Sequence, residues 1–148
     1  ATISLAHAST ELPRGCEKIN FQFSAQQLIL NEKGGQSLFL FHNRGVDAIE
    51  LRRYPISSSF MGPSLSATLA HDNWGAFASD LPASSFSCRM VKEGKAQGKV
   101  NCAEVISVCE YPRAKFALSN MGNYWVSANK TQQAIVTDVA NKGIYLRW

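Results

Sequence analysis

Three histidines, His7, His42 and His71, are the side chains from which proton-transfer chemistry near neutral pH would start. His71-Asp72, followed by Asn73-Trp74, is the most suggestive grouping, because a carboxylate beside an imidazole can orient a general base. Adjacent strand residues point to opposite faces, however, so the pair reads as a turn between strands. His42 ends an apolar run beside Asn43-Arg44-Gly45 and reads as a hairpin residue. Asp47 with Glu50, and Glu104 with Glu110, lack the spacing that brings two carboxylates together for glycoside hydrolysis. No G-x-S-x-G, H-E-x-x-H, P-loop or G-x-G-x-x-G pattern occurs. The sequence nominates no catalytic residue, no metal ligand and no cofactor.

The 4 cysteines, Cys16, Cys88, Cys102 and Cys109, carry more information. None are spaced C-x-x-C, so neither a zinc knuckle nor a thioredoxin-type pair is indicated. An even number favours two disulfides and an oxidising compartment, the periplasm or the cell exterior, over four buried thiols in the cytosol. Cys88 and Cys102 are symmetric about Lys95, so a simple hairpin register sets them face to face at disulfide distance. Cys102 and Cys109 cannot pair on one continuous strand, since seven residues at about 3.3 Å each hold them more than 20 Å apart. Cys16 with Cys109 remains.

Two sets of residues are candidates for binding. Arg89, Lys92, Lys95 and Lys99, interrupted by Glu93, form a modest basic cluster on a Gly-containing connection. Its plain reading is a solvated loop; its functional reading is attraction to an anionic surface, glycan or protein. Trp74 and Trp125, with Tyr124 and Trp148, can make a stacking platform or an anchor patch, or simply fill the core. No dense basic stripe with interleaved aromatics suggests a nucleic-acid partner.

The elements that must position these residues are mostly strands. Ile19, Phe21 and Phe23 alternate with Lys18, Asn20 and Gln22, the pattern of a half-buried strand. Gln27 to Asn31 and Ser37 to His42 flank a Gly34-Gly35 turn and read as a hairpin. Leu38-Phe39-Leu40-Phe41 is apolar on both faces and belongs in the middle of a covered sheet. Further strands are expected at Asp47 to Arg53, Leu65 to Ala70, Trp74 to Ser79, Phe86 to Val91, Lys99 to Glu110, Tyr124 to Ser127 and Ile144 to Trp148, with a loop from Ser57 to Pro63. Only Thr131 to Asn141 reads as a helix, with Ile135, Val136, Val139 and Ala140 on one face, Thr131 as cap and Gly143 past the end. The expected fold is an all-β antiparallel sandwich with one short C-terminal helix.

A chain of 148 residues, 45% apolar and 18% charged, has enough to bury for one domain and too little charge to stay disordered. The net charge of +4 and a pI near 9.0 lean toward anionic partners. No apolar run approaches the roughly 20 residues of a transmembrane helix. Residues 1–15 read as an N-terminal tail or signal-peptide remnant, with a small-x-small cleavage pattern at Ala6-His7-Ala8, ahead of a single domain at 16–148.

Leu28-Ile29-Leu30 through Phe41-His42-Asn43, Ser66-Ala67 leading to Asn73-Trp74-Gly75-Ala76-Phe77-Ala78, the three cysteines Cys88, Cys102 and Cys109, and Asn123-Tyr124-Trp125-Val126 together resemble the EnhB-type enhanced-entry family of secreted proteins from intracellular bacterial pathogens. The resemblance covers residues 16–148. It implies an exported virulence protein that promotes host-cell entry, without an assigned reaction and without catalytic residues to carry over. Three functions compete: a secreted or periplasmic non-enzymatic interaction protein, a periplasmic inhibitor like those directed at lysozymes, and a hydrolase with an unrecognised site. The positive charge counts against the second, because a cationic lysozyme repels a cationic inhibitor.

Overall fold

The computed structural model describes residues 12–19, 22–24, 27–31, 37–55, 65–79, 83–111, 114–116 and 124–145. In chain order the elements are β1 (Glu17–Lys18), β2 (Gln22–Ser24), β3 (Gln27–Asn31), β4 (Ser37–Asn43), β5 (Ala48–Pro55), β6 (Leu65–Leu69), β7 (Trp74–Ser79), β8 (Ala83–Lys92), β9 (Lys95–Val100), α1 (Cys102–Val105), β10 (Ile106–Tyr111), β11 (Lys115–Phe116), β12 (Tyr124–Lys130), α2 (Gln132–Asn141) and β13 (Ile144–Tyr145). A five-stranded sheet runs β1-β10-β4-β7-β12, and a six-stranded sheet runs β2-β3-β8-β5-β6 with β9 also paired to β8. A small β11-β13 ribbon completes an antiparallel, all-β sandwich with one short C-terminal helix.

β4 shows why the layers form. Its residues are buried on both faces. Phe39 and Phe41 meet Ile49, Leu51, Leu69, Phe86 and Cys88 of the second sheet, while Leu38 and Leu40 pack with Ile135 and Val139 of α2 on the other side. Two cores thus lie on opposite faces of one sheet, and each holds a disulfide: Cys88–Cys102 between the sheets, Cys16–Cys109 beneath the helix. α2 forms as the sequence reads. The Thr131 hydroxyl caps Ala134 N–H, and Gly143 takes a positive φ of 85° just past the end. Ile135 and Val139 are buried, Val136 is half-buried and Ala140 is exposed. Asp138 anchors the helix to β12 by accepting from Lys130 Nζ and Ser127 Oγ, both at 2.7 Å.

The pairings of neighbouring strands differ from the sequence expectation. β3 and β4 do not form a hairpin but belong to different sheets, because both edges of β4 are taken by β10 and β7. β6 and β7 likewise part into different sheets, and the segment after His42 is a sheet-to-sheet corner. The strand expected over Ile19, Phe21 and Phe23 is split: the bond to Cys109 pins β1 to one sheet, while β2 joins β3 in the other. The strand expected from Lys99 to Glu110 is broken by α1, whose first turn is capped by Asn101 accepting from Ala103 N–H. The expected loop at Ser57 to Pro63, together with Gly34-Gly35, Leu146 and Trp148, lies outside the described residues. Among the described residues, no helix is long and apolar enough to cross a membrane.

Candidate functional site

The basic cluster sits on a hairpin rather than on a loop. Glu93 and Gly94 form a two-residue turn with φ of 52° and 77°, the positive values a tight hairpin needs, and Lys95 onward pairs back along β8. Gly94 supplies its value at no steric cost, whereas Glu93 adopts it against its Cβ. In this register Lys92 faces Lys95 and Arg89 faces Lys99. An irregularity between Arg89 and Val91 gives β9 the extra residue, so β8 alternates regularly and the two cation pairs lie on opposite faces of the ribbon. Lys95 to Lys99 are all exposed, and so is Lys92. Arg89 is partly sheltered and donates to the Gln97 carbonyl at 3.3 Å.

The same register changes the geometry of the first disulfide. Cys88 faces Val100 rather than Cys102, and the turn of α1 carries Cys102 back to it at a Cα separation of 5.4 Å. The pairings Cys88–Cys102 and Cys16–Cys109 are nonetheless those the sequence favours, and no described cysteine is free.

Trp74 and Trp125 do not form a surface platform. Trp74 is 2% exposed in the core beneath α2, and Trp125 is half-buried, its ring 5.1 Å from Phe77 and 5.3 Å from Phe41. Both tryptophans follow from register: β7 is central, and Trp125 lies across from Phe77. Gly75 leaves room for that ring, since a Cβ there would stand 3.1 Å from Trp125 Cζ3.

What the sequence missed is a pairing across two corners. His42 Nε2 lies 2.8 Å from Asp72 Oδ1, and the imidazole stacks on Trp74 at 4.3 Å and 9°. An ionised carboxylate only accepts, so Nε2 carries the hydrogen and Nδ1 is the ring's other nitrogen. Asp72 reaches this place because the turn between β6 and β7 gives it a φ of 67° and its N–H donates to the Asn43 carbonyl. Asn43 is fully buried and satisfied: Nδ2 donates to the carbonyls of Asp47 and Leu69, and Oδ1 accepts from Gly45 N–H. His71, the other histidine of the turn, points to the Gly45 carbonyl at 2.6 Å. His42 and Asp72 are thirty positions apart, and only the β4-β7 pairing, which sets His42 opposite Trp74, announces their meeting.

Ser107 faces His42 across the β4-β10 pair, which places a hydroxyl, an imidazole and a carboxylate in one neighbourhood. No hydrogen bond joins the Ser107 hydroxyl to His42, so the nucleophile-to-base contact of a catalytic triad is not made. Comparison with protein-family models, with curated proteins and with solved structures finds no match.

Proposed function

We propose that this protein is a non-enzymatic, extracytoplasmic binding protein that uses the β8-β9 hairpin to engage an anionic surface of phospholipid headgroups or acidic glycans. The observation that carries the reading is the register of the hairpin, which sets Lys92 against Lys95 at its exposed tip, whereas Arg89 lies between Lys99 on one side and Glu50 of β5 on the other. Like charges directly opposite on a ribbon destabilise it. Lys92, Lys95 and Lys99 are exposed, and none of them makes an ion pair with the described residues. An anion placed at the Lys92–Lys95 pair removes the repulsion and gains two charge contacts. The two disulfides fit an oxidising compartment, and the likeness to the EnhB-type family supports a role in host-cell entry from the sequence side.

The test is sedimentation with vesicles of phosphatidylglycerol and phosphatidylcholine against phosphatidylcholine alone. At about 1 kcal/mol per basic residue near an anionic membrane, replacing Lys92, Lys95 and Lys99 by glutamate should weaken binding roughly 100-fold or more. Raising salt to about 1 M, where the screening length falls to ~3 Å, should do the same to the unmodified protein. Alanine at His71 or Asp47 should leave binding intact. Equal binding by the charge-reversed protein refutes the reading, and loss of a biological activity on changing His42 alone in a folded protein favours the hydrolase.

A further inference from the structure

A second positively lined feature lies on the five-stranded sheet, apart from the hairpin. Leu12, Lys18, His42, Arg44, Ser107 and Val108 line a pocket of about 120 Å3 that opens to solvent. A cavity of roughly 150 Å3 holds a benzene molecule, so this space admits a group of phosphate or carboxylate size. Two of its side chains are cationic and none is a carboxylate. Lys18 makes no ion pair or hydrogen bond with the described residues, and the Ser107 hydroxyl makes none either. The Arg44 guanidinium spends only Nη2, on the Ala103 carbonyl at 2.9 Å. Asp72 touches the lining through His42 and is held there by the imidazole.

The fold gives each donor a fixed origin. His42 and Ser107 are cross-strand partners on β4 and β10, and Lys18 is paired with Cys109 on the same sheet, two residues beyond the cystine at Cys16. Arg44 leaves the end of β4 at the corner, where its own N–H donates to the Val105 carbonyl. We propose that this pocket binds a compact oxyanion, a free phosphate or the phosphate or carboxylate end of a small molecule, between Lys18 and Arg44 with Ser107 as a neutral donor. Two flanking cations and a hydroxyl match the several acceptor oxygens of such a group. The site does not depend on the hairpin reading.

The full oxidised protein, labelled with 15N, is titrated with sodium phosphate and, separately, sodium acetate, at constant ionic strength held with chloride. Saturable shifts are expected at the amides of Ser107 and Arg44 and at the His42 ring, and not at Lys95. Which of the two anions saturates the site identifies the oxyanion. Lys18→Gln and Arg44→Gln should each weaken binding about ten-fold, the worth of one charge-assisted contact. Lys95→Gln should not weaken it. If loss of the Arg44 bond to Ala103 unsettles the corner, the Lys18→Gln variant carries the test alone, since that side chain holds no described partner. No saturable shift with either anion overturns the proposal, as does equal binding by Lys18→Gln and the unmodified protein.

Discussion

Asn43 is the residue on which the candidate corner turns. Its side chain makes three hydrogen bonds while 0% exposed, and its backbone exchanges two more with Asn73 and Asp72. Alanine there leaves the buried Leu69 carbonyl, the part-buried Asp47 carbonyl and the part-buried Gly45 N–H without their partner, each costing about 1 kcal/mol. Asn43→Ala should therefore destabilise the protein by roughly 3 kcal/mol, read as a lower urea midpoint at unchanged slope. A loss below about 1 kcal/mol would show that water replaces the amide. Asp138 works differently. Hydrogen bonds from Lys130 and then Ser127 lower its pKa below the usual 3.8, against partial burial. The stability this brings is present above the unfolded value and fades as pH falls through the lower folded one. An Asp138→Asn variant should accordingly lose less stability than the parent on acidification below about pH 4.

At the scale of elements, the hairpin separates binding from stability. Lys95→Glu turns a repulsive cross-strand pair with Lys92 into an attractive one, worth about 0.2 to 1 kcal/mol in favour of the fold by the usual size of such pairs. The same change removes positive charge from the proposed docking surface. Thermal stability should rise slightly while vesicle binding falls, and a variant losing both would mean that Lys95 has a structural partner. The elements also show what sequence could reveal. The α2 helix, the double-faced β4 and both cystines were legible, because a cap, a run of apolar residues and an even cysteine count are local or arithmetic signals. Sheet membership was not. Period two marks a strand but carries no sign of its neighbours, so β3-β4 and β6-β7 read as hairpins although each pair parts between sheets. The His42–Asp72 contact was illegible for the same reason, and the hairpin turn was misplaced because Glu is an uncommon residue at positive φ.

For the whole molecule, the two cystines are unequal staples. In the chain-entropy account, closing the loop of 14 positions between Cys88 and Cys102 contributes about 3 kcal/mol, and closing the 93 positions between Cys16 and Cys109 about 4.5 kcal/mol. Paired serine replacements should lower stability in that order in urea unfolding. The Cys16–Cys109 replacement should in addition free β1 and weaken oxyanion binding through Lys18. If the Cys88–Cys102 replacement proved the costlier, packing rather than loop closure would set the worth of each bridge.

The long reach of Cys16 also bears on the order in which the molecule can be made. A chain emerging N-terminus first presents Cys16, then Cys88, and only later Cys109. During that interval the first partner Cys16 meets is the wrong one, and a Cys16–Cys88 bridge would tie the two cores together across the sheet that separates them. Native folding therefore requires either that Cys16 wait as a thiol until Cys109 on β10 arrives, or that a thiol exchange reaction free Cys88 for Cys102. By the second route, the yield of the oxidised protein depends on the disulfide-shuffling capacity of the compartment that folds it.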